Sequence, residues 1–326
     1  MSTPQQTALN LGSAALDPEL TIVLNSGQIP GAFTREQIPE LRAGAGALFT
    51  AKEAIVNNPS LSHREEIIQG PRGDITLSIF QDSKVAQDPK PCFYYIHGGG
   101  MIVGNRFLNV SRALELATEF NAVCVSVEYR LAPEHPAPAG VEDCFQGLKW
   151  IKDNAASLEI DPNKIITIGQ SGGGGLAAGM ALLARDENGP RIKAQLLMCP
   201  MLDNRNELPS TTQCDRPPWT RANNEMAWNC ILGDQDESTN FYTAPARAKD
   251  VSNLPPTFID VGSGELFRDE VVMFASRLLQ SGIMTELHVW AGVFHAADTM
   301  APQARVSRAT RSAVSSWIDR VLNVYD

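Results

Sequence analysis

Gly169-Gln170-Ser171-Gly172-Gly173 has the spacing G-x-S-x-G. It follows an apolar run at 165–168 that reads as a strand and precedes a run at 176–184 that reads as a helix. A serine at such a junction is turned outward on a sharp, strained bend, with helix N–H groups directed at any negative charge that develops beside it. The chemistry this suits is attack of a hydroxyl on an acyl carbon. Glycine at all of 172–175 costs about 1 kcal/mol per residue relative to alanine in a helix interior. Such a run is explained where backbone must pass close to something else. A dinucleotide-binding turn competes, because Gly172, Gly174 and Ala177 match G-x-G-x-x-A after a strand. That reading lacks the acidic residue expected at the end of a following strand about 20 positions on.

A second motif, His97-Gly98-Gly99-Gly100, ends an earlier apolar run at 93–96. Adjacent glycines after a strand present bare N–H groups, and acyl transfer needs donors aimed at the oxyanion of its tetrahedral intermediate. A serine hydroxyl also needs a base. Of five histidines, His63 lies before the expected sheet, His135 in a proline-rich loop and His288 along a strand. His295 ends the loop Ala291-Gly292-Val293-Phe294-His295 after the last strand, where parallel-sheet enzymes gather functional residues. A zinc site on His288 and His295 would need further ligands, and none is suitably spaced. An acid must orient the base. Glu265, Asp269 and Glu270 all follow a strand at 257–261, whereas Asp260 lies within it. The order is then serine, acid, histidine.

The elements that must position these residues are also legible. Asp17-Pro18 and Thr34-Arg35-Glu36-Gln37 read as helix starts, the second as a capping box. Gly70-Pro71-Arg72-Gly73 is a turn, and Ile75, Leu77 and Ile79 alternate as in a half-buried strand. Strands at 93–96, 122–127, 165–168, 194–199, 257–261 and 286–290 alternate with helices at 141–156, 176–184, 270–280 and 302–324. That rhythm implies a mostly parallel sheet covered on both faces. Residues 203–246 interrupt it with Pro209, Pro217, Pro218 and Pro245, and are expected at the sheet edge or over its top.

The chain has 326 residues, 43% hydrophobic and 20% charged, the profile of a soluble globular protein. Its net charge of −10 argues against nucleic-acid or anionic-membrane partners. Residues 1–20 lack a basic segment followed by an apolar one, so no secretory leader is expected. Six cysteines, at 92, 124, 144, 199, 214 and 230, form no CxxC pair and are expected as buried free thiols in a cytoplasmic protein.

The sequence resembles the hormone-sensitive-lipase-like (bacterial family IV) esterases of the α/β-hydrolase superfamily across about residues 75–320. The two glycine motifs carry the resemblance. So do Glu128-Tyr129-Arg130-Leu131-Ala132-Pro133-Glu134-His135-Pro136, Asp161-Pro162-Asn163-Lys164-Ile165, Leu266-Phe267-Arg268-Asp269-Glu270 and Phe294-His295. The resemblance implies an α/β-hydrolase fold with an eight-stranded, mostly parallel sheet flanked by helices and a helical cap. Cap helices would occupy 1–55 and a cap insertion 203–246, over a core of 56–202 and 247–326. It implies Ser171 as nucleophile, His295 as base, and Gly98, Gly99 and Gly172 as oxyanion donors. It further implies short- to medium-chain acyl esters of small molecules as substrates, no cofactor or metal, and a homodimer formed through the last strand and helix.

Three positions depart from the family pattern. Gln170 replaces the usual Asp, Gly172 the usual Ala, and Glu265 the usual acidic Asp, with Asp269 as the rival acid. The expectation is a serine carboxylesterase with a Ser171–His295–Glu265 triad, and lactone or amide hydrolysis as the alternative. A ligand receptor of this fold, as in the plant gibberellin receptors, lacks the catalytic histidine, so His295 argues for an enzyme. Trp219, Trp228 and Phe241 are candidates for an apolar pocket.

Overall fold

The structure, a computed structural model, describes residues 14–325 apart from 28, 30, 57, 83–87 and 234–240. Residues 1–13, where a leader would begin, and 234–240 of the insertion lie outside the described residues.

The described residues form one eight-stranded sheet. Its strands are β1 (Leu61–Gly70), β2 (Gly73–Asp82), β3 (Lys90–Ile96), β4 (Val123–Glu128), β5 (Ile160–Gln170), β6 (Ala194–Met198), β7 (Thr257–Gly262) and β8 (Thr285–Trp290). Their spatial order is β1-β2-β4-β3-β5-β6-β7-β8, with β2 antiparallel to both neighbours and the other pairings parallel. The helices are α1 (Pro18–Leu24), α2 (Ile38–Leu48), α3 (Ala51–Val56), α4 (Ser111–Glu119), α5 (Ala139–Asp153) and α6 (Gly172–Asp186). After these come α7 (Ser210–Gln213), α8 (Arg221–Leu232), α9 (Arg268–Gln280), α10 (Ala297–Met300) and α11 (Arg305–Asn323).

The central strands read as unbroken apolar runs because each faces helices on both sides. Tyr94, Ile96, Leu197 and Ile259 pack with Leu148 of α5, Leu176 of α6 and Phe274 of α9. The alternate residues Phe93, Tyr95, Leu196 and Phe258 pack with Leu114 of α4 and Trp317 of α11. Each such side chain contributes about 1.5–3 kcal/mol by leaving water.

His63 lies within the sheet rather than before it. It belongs to β1, a strand the sequence reading missed, and its Nε2 is 3.1 Å from Ser78 Oγ on β2. β1 borders the sheet and keeps much of its length exposed, so Arg64, Glu65 and Glu66 are tolerated there and mask the alternation. The turn to β2 pairs Gly70 with Gly73, and a Cβ on Gly70 would lie 2.5 Å from Gly73 O.

Both expected helix starts near the N-terminus are present. Asp17 accepts from Glu19 N at 2.8 Å, and the Thr34 N–H donates to Gln37 Oε1 at 2.9 Å. Arg42 of α2 donates to the carbonyls of Ile102 and Ala132, fixing α2 above the ends of the strands. The insertion is helical, with α8 capped by Thr220, whose Oγ1 accepts from Asn223 N at 3.2 Å. All six cysteines are buried and free. Among the described residues, no helix is long and apolar enough to cross a membrane.

Candidate active site

Ser171 occupies the bend between β5 and α6 with φ 55° and ψ −122°. A non-glycine residue held there costs on the order of 1–3 kcal/mol, so the surroundings must impose it. Its N–H donates to Met198 O at 2.9 Å, and its own carbonyl accepts from Gly175 N at 3.1 Å and Met201 N at 2.9 Å. The glycine run serves this bend. A Cβ on Gly173 would stand 2.1 Å from Ile96 O, and one on Gly175 2.1 Å from Met201 O. The first turn of α6 is thus pressed onto the ends of β3 and β6, and side chains would hold it away.

Ser171 Oγ is 2.9 Å from His295 Nε2, and His295 Nδ1 is 2.5 Å from Glu265 Oε2. Glu265 Oε1 accepts from Gly262 N at 2.5 Å. All three side chains are buried. The loop carrying His295 reaches Glu265 because Gly262 leaves room for it: a Cβ there would lie 2.1 Å from Val293 O. Phe267 presents its ring edge-on to the His295 imidazole at 5.1 Å.

The other acids have different partners. Asp269 lies in the first turn of α9, accepting from Ser210 N at 2.8 Å and from Arg268 Nε at 2.6 Å. Glu270 accepts from Leu202 N and Asp203 N at 2.7 and 3.3 Å, and burial pushes its carboxyl well up. Both fasten the insertion to α9. Asp260 was not anticipated as part of the surroundings. It accepts from Trp290 Nε1 at 3.0 Å and Cys199 N at 3.3 Å. Burial, reinforced by nearby Asp298, pushes its carboxyl up to about 7.

The 97–100 loop lies beside the serine. The N–H groups of Gly98 and Gly99 make no backbone hydrogen bond among the described residues. Gly99, at φ +99°, accepts from Ile102 N and Val103 N, which curls the loop back on itself. His97 stacks on Tyr129 at 4.2 Å, the Tyr129 hydroxyl donates to His97 O at 2.8 Å, and burial holds the imidazole pKa down. Gly172 closes against this loop: a Cβ there would lie 2.9 Å from Met101 N. Gln170 accepts from Asn109 Nδ2 at 2.8 Å and donates to Thr299 Oγ1 at 3.3 Å, an uncharged tie from the elbow to the helix just after His295.

A cavity of about 280 Å³ opens above Ser171 and His295, walled by Phe33, Leu41, Val103, Leu108, Trp219 and Met300. Of the three aromatic residues expected to form a pocket, Trp219 lines it. Trp228 is buried in the core, and Phe241 packs on Tyr242 at 4.3 Å. Phe33 and Asn109 join the wall without a sequence signal for their proximity, and Gln170 joins it as the neighbour of Ser171. Among the described residues, Cys199, Glu265 and His295 have ligand atoms within 4.8 Å of one another, close enough for a metal ion. Two of the three are already bonded to each other.

An alpha/beta hydrolase fold family matches residues 93–299. Carboxylesterase NlhH of Mycobacterium tuberculosis is 36% identical over 280 residues, covering 83% of this chain and 85% of NlhH. Esterase LipI of the same species is 32% identical over 71% of this chain and 73% of its own. The solved structure of a bacterial heroin esterase superposes with a TM-score of 0.88 at 36% identity, over 95% of this chain and 98% of the other. The chain therefore belongs to the hormone-sensitive-lipase-like family of α/β-hydrolases and is a carboxylic ester hydrolase.

Proposed function

We propose that this protein hydrolyses short- to medium-chain acyl esters of small molecules through a Ser171–His295–Glu265 triad and an acyl-enzyme. The observation that supports it most is the unbroken hydrogen-bond path from Ser171 Oγ through His295 to Glu265. In this reading Ser171 Oγ attacks the ester carbonyl while His295 Nε2 takes its proton. The oxyanion lies at the N–H groups of Gly98, Gly99 and Gly172, each donor of this kind being worth about 10²–10³ in rate. His295 then returns the proton to the departing alkoxide, and a water deprotonated by His295 releases the acid. Glu265 holds the tautomer with the proton on Nδ1 and stabilises the imidazolium.

The cap would comprise residues 1–55 and 203–246 over a core of 56–202 and 247–326, since both segments contribute to the wall above the serine. The exposed Val289 of the border strand β8 supports a homodimer through the last strand and helix, β8 and α11, testable by light scattering. Six unpaired buried thiols fit a reducing, cytoplasmic compartment.

The test is hydrolysis of p-nitrophenyl esters of graded acyl length, with lactones and anilides alongside. Short and medium esters turned over by the native enzyme and not by Ser171→Ala support the reading. Turnover confined to lactones or anilides replaces the substrate class, and full activity in Ser171→Ala removes the triad.

A further inference from the structure

One contact between cap and core has no part in the chemistry just described. Trp219, from the insertion, lies against Gly100: a Cβ on Gly100 would stand 2.2 Å from Trp219 Cη2 and 2.5 Å from Cζ2. Gly100 follows directly on Gly98 and Gly99. Its other side meets α6, where a Cβ on Gly172 would lie 3.0 Å from Gly100 N. The loop is therefore held between the first turn of α6 and the outer rim of the indole's six-membered ring.

The indole is itself fixed. Its Nε1 donates to Asn224 Oδ1 at 3.0 Å, and Asn224 Nδ2 donates to Asn206 Oδ1 at 2.5 Å. The neighbouring Asn223 accepts from Phe33 N at 3.0 Å and donates to Gly31 O at 3.3 Å. Phe33 meets Trp219 edge-on at 6.1 Å, and both rings wall the cavity. Asn223 and Asn224 are fully buried in the first turn of α8. Two amides are costly to bury unless bonded, and here their bonds go to the two aromatic walls.

Resting on the esterase reading, we propose that Asn224 is a positioning residue. Through Trp219 it sets both the placement of the Gly98–Gly99 amides and the acyl length the cavity accepts. A larger cavity and a looser oxyanion loop should then appear together when the indole is removed or released.

The experiment compares p-nitrophenyl acetate, butyrate and octanoate on native protein, Trp219→Ala, Trp219→Phe, Asn224→Ala and Asn224→Asp. Enzyme is counted by active-site titration and folding checked by thermal unfolding. In Trp219→Ala the octanoate-to-acetate ratio of kcat/KM should rise about 10-fold or more, since one methylene in an apolar pocket is worth about 10–200-fold. Its kcat on acetate should fall by about 10-fold, part of the cost of losing an oxyanion donor outright. Asn224→Ala should move both quantities the same way by a smaller factor. Asn224→Asp, which keeps an acceptor for Nε1 but loses the donor to Asn206 Oδ1, and Trp219→Phe, which keeps an aromatic wall but lacks the Cη2 and Cζ2 atoms that meet Gly100, should move both quantities in the same direction. A merely structural role would lower the unfolding temperature and the titrated enzyme while leaving the ratio and kcat per active site unchanged. That result in both alanine variants overturns the proposal. Failure of the esterase reading looks different, as absent hydrolysis by native protein or retained hydrolysis by Ser171→Ala.

Discussion

Glu265 divides its two oxygens between Gly262 and His295: Oε1 takes the Gly262 N–H at 2.5 Å and Oε2 meets His295 Nδ1 at 2.5 Å. The carboxylate is thereby tied to the end of β7 at one oxygen and aims the other at the His295 imidazole.

The first prediction follows from that division. Glu265→Gln should lower kcat by up to about 10⁴-fold with the fold intact, because the amide favours the wrong tautomer of His295. Asp269→Asn should retain most of kcat and lower the unfolding temperature, since Asp269 joins α9 to Ser210 of the insertion and holds Arg268 beside it. Steady-state kinetics and thermal unfolding on both variants decide the matter; collapse of kcat in Asp269→Asn alone would reverse the assignment.

Strain at the elbow separates two inactive variants. Ser171→Ala removes the hydroxyl but keeps a Cβ at φ 55°, whereas Ser171→Gly also relieves the backbone. Ser171→Gly should be the more stable of the two by about 1 kcal/mol in denaturant unfolding. Equal midpoints would mean that the bend carries no strain.

Glycines of opposite purpose give a second stability contrast. Gly173→Ala places a methyl 2.1 Å from Ile96 O and 2.3 Å from His97 O, both backbone atoms, and should cost roughly 3 kcal/mol or more. Gly46→Ala in α2 meets nothing within 4 Å and should stabilise by about 0.5–1 kcal/mol. Chemical denaturation of each single variant measures both values.

Asp260 makes stability depend on pH. Its carboxyl, pushed up to about 7 by burial and Asp298, keeps its proton where the unfolded chain, near about 3.9, has lost it. The folded state binds more protons in that window, so this group's contribution declines as pH rises from about 4 and is lost once pH passes about 7. Asp260→Asn should flatten the fall in unfolding temperature between about pH 5 and pH 8, whatever constant cost the lost acceptor for Trp290 or Cys199 adds. Parallel slopes for the two proteins would contradict it.

What the sequence disclosed followed from chemistry that tolerates few residue types. Ser171, Gly98–Gly100 and His295 stand at strand ends where bare amides and a base are needed, and the structure brings these positions together. Glu265 is favoured over Asp269 because a helix beginning at 266–270 would claim Asp269, and the first turn of α9 holds it there. The strands that alternate with helices were equally plain, the central ones because both their faces are buried. β1 was not, because a border strand tolerates Arg64, Glu65 and Glu66. The Trp219–Gly100 contact and the Asn224 bond behind it escaped for another reason. They depend on how the insertion folds back over the loop, and no local spacing encodes that approach.

A nucleophilic Ser171 activated by His295 has a direct chemical signature. The most direct measurement treats native protein, Ser171→Ala and His295→Ala with an alkyl fluorophosphonate and locates the adduct by peptide mass mapping. One phosphonyl group per native chain, on Ser171, with none on Ser171→Ala and at least about 10³-fold slower labelling of His295→Ala, is the predicted result. Labelling at another serine, or undiminished labelling of His295→Ala, would contradict it.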